Sequence, residues 1–344
     1  MNNISCKSNE IKPTFRDNSI DATKGILILM VVYSHCFTEG FLHNFFFAFH
    51  MPAFFSISGI NASLSHEESR PFGKTFMLLI NSLGVPFVFF EILGILQEVL
   101  RNGFSQSWRG FLFNSLTLRC NNIVDWFLGS LLFAKMLSIL SRKLLSKLLN
   151  RKTADIVYLI ICISIMVAAV LFPHTEPYMF VVIRRILIAH GFLAIGLTLE
   201  PIIRKRSLIL GIVALAVSFL LSLLNPEYVD INELHFGIYV IFFSAAILGS
   251  YGILQIGKLA CIFPFLWLGK NSLIIMGTHI PILLLFRSAF RITAPTIEDR
   301  LIVFLLILAL EIPIIWFIRR FAPFLIGKTK SQKHETNCIS DNNH

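Results

Sequence analysis

Apolar residues along this chain gather into long runs, and polar residues cluster in the short gaps between them. A helix needs about 20 mostly apolar residues to cross the hydrocarbon core of a bilayer. Ten runs approach that length, at 20–38, 44–63, 76–99, 124–141, 155–172, 180–199, 207–224, 236–255, 264–286 and 301–321. The pattern predicts an all-α, polytopic integral membrane protein with about ten transmembrane helices. It divides the chain into a polar N-terminal arm (1–19), one transmembrane domain (20–321) and a polar tail (322–344). No periodic internal repeat is visible. The arm does not read as a cleavable signal peptide, because no small-residue cleavage site follows the first run.

Composition agrees with lipid as the solvent. Hydrophobic residues make up 55% of the chain and charged residues 15%, with a mean hydropathy of +0.73. Those figures exclude disorder, a coiled coil and a disulfide-stapled secreted domain. The net charge of +10 fits the excess of Lys and Arg on the cytoplasmic side of membrane proteins, and no nucleic-acid partner is expected. An even number of spans puts both ends on one side. On a ten-span reading that side holds 20 Lys and Arg, the opposite side six. The asymmetry predicts that both termini are cytoplasmic. The six cysteines include no C-x-x-C pair, so neither a zinc site nor a disulfide framework is indicated, and no metal is expected.

Ionisable residues within spans are costly and therefore mark candidate chemistry. The first run carries Asp21, Lys24 and His35. Eleven helical steps come to about three full turns, so Lys24 and His35 share a face roughly 16 Å apart along the axis. Lys24 falls near the cytoplasmic surface and His35 in the outer half. At this level, a snorkelling lysine and a histidine bonded to a neighbour fit as well as a functional pair. A short loop leads into the second run, which makes the first two runs an antiparallel hairpin. His50, in FHMPAFFSISG (49–59), then lies at a depth similar to that of His35, across a common cavity. Glu39 stands at i+4 from His35, within reach to fix its tautomer on a continuous helix. An ordinary interfacial carboxylate is the competing reading.

The segment DATKGILILMVVYSH (21–35), followed by FHMPAFFSISG, resembles the opening signature of the membrane acyltransferase-3 family, and most closely its fucose 4-O-acetylase-like branch. Lys24 and His35 match the basic residue and the histidine of that signature, ten residues between them. Weaker marks follow in order: VPFVFF (85–90), Asp125-Trp126-Phe127-Leu128 and LGKNSLIIMGTH (268–279). The resemblance implies an O-acyltransferase that moves an acetyl group from cytoplasmic acetyl-CoA to a sugar hydroxyl of a cell-surface polysaccharide or its lipid-linked precursor, in a bacterial inner membrane. It implies no tightly bound cofactor; membrane lipid, acetyl-CoA and the glycan are the partners. His35 would be the catalytic base, since imidazole titrates near neutral pH, with Glu39 orienting it. Lys24 would meet the phosphates of CoA. His50 and Ser58 are candidate oxyanion donors.

One departure stands out. Many members carry an R-x-x-R pair just before the proline of the third span, whereas this chain reads Asn81-Ser82-Leu83-Gly84-Val85-Pro86. Arg70 and Lys74 lie nearby as substitutes for phosphate binding, or as cytoplasmic anchors. Arg184 and Arg185 enter the sixth run from the outer side. They pair with a carboxylate such as Glu91 or Glu200, or they meet an anionic acceptor. His279 and His190 are further candidates to line the cavity. Phosphate-loop, H-E-x-x-H and G-x-S-x-G motifs are absent. A transporter or flippase for a lipid-linked glycan is the alternative; it would move the glycan without changing its mass.

Overall fold

A computed structural model describes residues 17–103, 108–172, 178–205, 207–290 and 295–327. Most of the N-terminal arm and of the polar tail lies outside the described residues. Thirteen α-helices are seen among the described residues: α1 Asn18–Cys36, α2 Phe41–Leu64, α3 Phe72–Leu79, α4 Val85–Asn102, α5 Trp108–Leu116, α6 Asp125–Leu148, α7 Arg151–Leu171, α8 Tyr178–Thr198, α9 Glu200–Ile203, α10 Leu208–Leu224, α11 Tyr239–Gly257, α12 Phe263–Ala289 and α13 Ile297–Phe321. No strand occurs among them; a single antiparallel bridge joins Asp230 and His235.

Each apolar run of the sequence coincides with a helix, and polar side chains set several starts. Asp17 accepts a hydrogen bond from the Ser19 amide at the head of α1. Asn150 does the same for α7 through Thr153. Thr296 and Asp299 form a reciprocal capping box on α13. α3 and α4 are one continuous rod interrupted by a π-helical turn, Ile80–Gly84, just before Pro86. A proline donates no amide proton, so the wider turn absorbs the register change. The stretch that lacks the arginine pair is this turn.

Among the described residues, seven helical segments are long and apolar enough to cross a membrane: α2, α3 with α4, α7, α8, α11, α12 and α13. α10 is apolar but spans 17 residues. α1 and α6 fall short because each carries charged residues along its length.

α1 sits at the centre of the bundle, packed on α12, α2 and α11, while α2 also packs on α8. Small residues permit the closest approaches. A Cβ on Gly25 would stand 2.0 Å from the carbonyl oxygen of Phe265 on α12, and one on Gly269 would stand 1.7 Å from that of Asp21. Gly59 of α2 and Gly196 of α8 meet in the same way. These contacts clamp the two histidine-bearing helices of the first hairpin to their neighbours.

Candidate functional site

α1 ends at Cys36, one residue beyond His35, so the imidazole stands at the mouth of the bundle rather than in its middle. The short loop to Phe41 turns the chain into α2 and brings Phe47 and His50 beside it. The ring of Phe47 lies 6.3 Å from that of His35, 5.0 Å from that of His50 and 4.2 Å from that of His43. From the other side α12 delivers His279, whose ring centroid is 5.2 Å from that of His35. Three histidines thus gather around the ring of Phe47, and a fourth, His279, stands against His35 from a third helix.

Hydrogen bonds fix the tautomers of three of them. Nδ1 of His50 lies 2.5 Å from the carbonyl oxygen of Phe46, and Nδ1 of His279 lies 2.7 Å from that of Ile275. Nδ1 of His43 lies 3.2 Å from the carbonyl oxygen of Ser34. A carbonyl only accepts, so each Nδ1 carries the proton, and Nε2 is left as the acceptor of the neutral ring. His279 is fully buried, and its Nε2 has no hydrogen-bond partner among the described residues. His35 makes no side-chain hydrogen bond among the described residues and is half-buried.

His50 and His279 share a local device. Each stands two residues before a proline, Pro52 in α2 and Pro281 in α12. Pro281 supplies no amide for the carbonyl of Gly277, one turn below. The side chain of Asn122 donates to that carbonyl at 2.8 Å, so the bond lost inside α12 is replaced from outside. Asn122 is positioned in turn by Glu91 of α4, whose carboxylate accepts from the amide and side chain of Asn121 at 2.9–3.1 Å and from Ser115 Oγ at 2.6 Å.

His35 and His50 line one cavity with Val31, Phe47, Met51, Met276, Ile123, Val124, Trp126, Asp230, Ile231 and Asn232. The cavity has a volume of about 60 Å³ and opens to the outside. Two loops close it: 117–124, leading into α6, and 225–238, between α10 and α11. The second is pinned from below. Arg185 donates through Nε to the carbonyl of Asn232 at 2.6 Å and through Nη1 to Tyr178 Oη at 3.0 Å. Burial pushes the Asp230 carboxyl up to about 6, against hydrogen bonds from the amides of Asn232 and Glu233.

The other predicted residues fall elsewhere. Lys24 is at the opposite end of α1, ion-paired with buried Asp21 at 2.7 Å. On the face between Lys24 and His35, Ile28 and Val31 are packed tightly, so no open passage joins the two. Glu39 is exposed on the bend after α1. The i, i+4 contact with His35 does not form, because the helix has already ended and that spacing no longer applies. Ser58 is half-buried and does not line the cavity. Arg70 donates to the carbonyl of Ser65, and Lys74 is exposed. His190 bonds Tyr158 within the bundle, 3.0 Å from its hydroxyl.

The carboxylate partners expected for the paired arginines are engaged otherwise. Glu91 holds the 115–122 segment, and Glu200 pairs with Arg204 at 3.2 Å. Arg184 donates instead to the carbonyl of Ala169 at 2.6 Å, closing the last turn of α7.

A family model described as an acyltransferase domain, Acyl_transf_3, matches residues 17–320. The chain belongs to the acyltransferase-3 family. No curated protein and no solved structure matches it. It is a multi-pass membrane acyltransferase, and the match spans every helix that builds the histidine cluster.

Sequence reasoning missed three residues of this acyltransferase's cavity: Trp126, Asp230 and Asn232. Trp126 lay inside a noted motif with no role attached. Asp230 and Asn232 lie in a polar gap between two apolar runs, where no spacing points to a site. The H-x-P pattern, present at His50 and again at His279, was a readable signal that those two histidines are held alike. At the end bearing Lys24, a second cavity of about 340 Å³ is lined by Arg142, Lys143, Arg151, Glu68 and Asp155, and it too was not anticipated.

Proposed function

We propose that this acyltransferase moves an acetyl group from cytoplasmic acetyl-CoA to a sugar hydroxyl of a cell-surface polysaccharide or its lipid-linked precursor, with His35 as the base. The observation that carries the reading is the cavity around His35. It presents a free imidazole edge at an open mouth, backed by histidines of fixed tautomer. In the reaction, His35 takes the proton as the hydroxyl oxygen attacks the thioester carbon. The new C–O bond forms, the C–S bond breaks, and the proton ends on the departing CoA sulfur. His279 takes the positioning role first expected of Glu39: its ring, held by the Ile275 carbonyl, stands beside that of His35. The oxyanion role first expected of His50 is given up, because its Nδ1–H is donated to the Phe46 carbonyl and its Nε2 is an acceptor; it lines the cavity beside the reacting groups.

All ten long helices cross the membrane in this reading, both termini are cytoplasmic, and the membrane is the bacterial inner one. The polar residues of α1 and α6 are tolerated because neighbouring helices surround them. The donor nucleotide sits at the end that bears Lys24, Arg70 and Lys74. Ile28 and Val31 must yield for the thioester to reach His35.

The test is release of CoA thiol by the purified full chain. With acetyl-CoA and an extracted surface glycan, thiol release should depend on the glycan and fall at least a hundredfold in His35→Ala. Glycan-dependent release that survives in His35→Ala contradicts the assignment of the base.

A further inference from the structure

The wall of the His35 cavity has a composition that the acyl-transfer step alone does not require. Next to the two histidines it sets an indole, Trp126, and two short polar side chains, Asp230 and Asn232. Trp126 comes from the first turn of α6, and Asp230 and Asn232 from the 225–238 loop, brought over the same opening. Asp230 uses one oxygen, Oδ1, to accept from the amides of Asn232 at 2.7 Å and Glu233 at 3.4 Å. Among the described residues Oδ2 accepts no hydrogen bond, and Asp230 lines the cavity. The basic group beside the loop, Arg185, is spent on the Asn232 carbonyl and on Tyr178, and it does not line the cavity. Among the described residues no lysine or arginine lines it.

A sugar ring offers an apolar C–H face and a rim of hydroxyls. An aromatic face beside carboxylate and amide acceptors matches both features. We propose that Trp126, Asp230 and Asn232 form the acceptor subsite and that it takes an uncharged sugar, the Asp230 carboxylate accepting from a hydroxyl adjacent to the one that His35 deprotonates. This rests on the acyl-transfer reading for the role of His35 but makes a separate statement about binding. A uronic acid or phosphorylated sugar would bring a second negative charge against Asp230, with Arg185 behind the loop rather than in the cavity wall, and like charges in a partly desolvated site repel strongly. Arg185 therefore secures the loop and does not receive an anionic acceptor.

The experiment is saturation-transfer NMR on the full chain in detergent micelles. The probes are methyl glycosides of glucose, galactose, fucose and glucuronic acid, without acyl donor. The neutral glycosides should show transfer at millimolar concentration and the glucuronide none. Asp230→Asn keeps an oxygen for the Asn232 amide, so the turn is retained. It should raise the glucuronide signal to that of glucose, at least a fivefold gain. Trp126→Ala should abolish the neutral signal, with thermal unfolding of each variant confirming that it folds. Should Trp126→Ala not fold, Asn232→Ala takes its place, with at least a threefold loss of the neutral signal expected. Equal signals from glucuronide and glucoside in the unsubstituted protein overturn the proposal, as does no signal from any sugar. If the sugars bind as expected but His35→Ala retains acyl transfer, the catalytic reading fails while the subsite stands.

Discussion

His35 and His279 face each other with their ring centroids 5.2 Å apart, yet only one of them was assigned a role by spacing in the sequence. His35 was legible because a basic residue eleven positions earlier and a known signature both point to it. Asp230 was not, because its place over the cavity depends on a loop pinned by Arg185, 45 residues earlier, and no local pattern encodes that contact. Glu39 shows the reverse error, since an i, i+4 argument holds only while the helix lasts. Asp230 also yields a prediction on pH. Burial raises its folded-state value to about 6 from 3.8. Between those values the folded protein holds a proton that the unfolded chain has lost. Acidification therefore stabilises the fold through this group, and the contribution disappears as pH rises past about 6. The charges and titratable groups around it are Arg185 and Glu233, with His35 and His50 across the cavity. Thermal unfolding of the solubilised chain at pH 5 and pH 7 should show a smaller gain on acidification in Asp230→Asn than in the parent. An equal gain in both would show that this carboxyl is not buried as described.

At the scale of elements, the prolines of α2 and α12 and the loops over their ends belong together. Pro281 frees the carbonyl of Gly277, and Asn122 repairs it from the loop before α6. Losing that donor leaves a buried carbonyl unpaired, at a cost of roughly 1–3 kcal/mol. Asn122→Ala should therefore lower the melting temperature and slow transfer, because the repaired turn of α12 carries His279. Adding Pro281→Ala supplies an amide for the same carbonyl. The double variant should recover most of the lost stability, and a double variant as unstable as Asn122→Ala alone would dismiss the repair. The helices themselves were legible in the runs of apolar residues, since hydropathy over such lengths reports directly on burial in lipid. What escaped was detail set by packing: the π-helical turn before Pro86, and the short α5 over the outer end.

For the whole molecule, the all-helical class and the family could be read from the sequence; the helices of the described residues bear out the first, and the match over residues 17–320 bears out the second. Among the described residues seven helical segments meet the length and apolarity needed to cross a membrane, whereas ten runs were counted from the sequence. The difference lies in α1, α6 and α10, two of which carry charges that a central bundle position shelters. Reporter fusions decide the count. A cytoplasm-active reporter fused after residue 344 should be active, and a periplasm-active reporter inserted near residue 104 should be active too. The opposite pattern at either point rejects a ten-span topology with cytoplasmic ends. The arrangement that would emerge puts a basic end, with Lys24 and the cavity around Arg142 and Arg151, across the membrane from the histidine cluster. That polarity is what a donor on one side and an acceptor on the other require.

The central claim is that His35 drives acyl transfer onto a surface glycan. The measurement is the mass of the cell-surface polysaccharide from cells with the parent protein, without it, and with His35→Ala at equal membrane level. Base-labile acetyl esters should be present only with the parent. Esters that persist with His35→Ala, or a glycan unchanged in mass but altered in exported amount, would contradict the account, and the second result would point to transport.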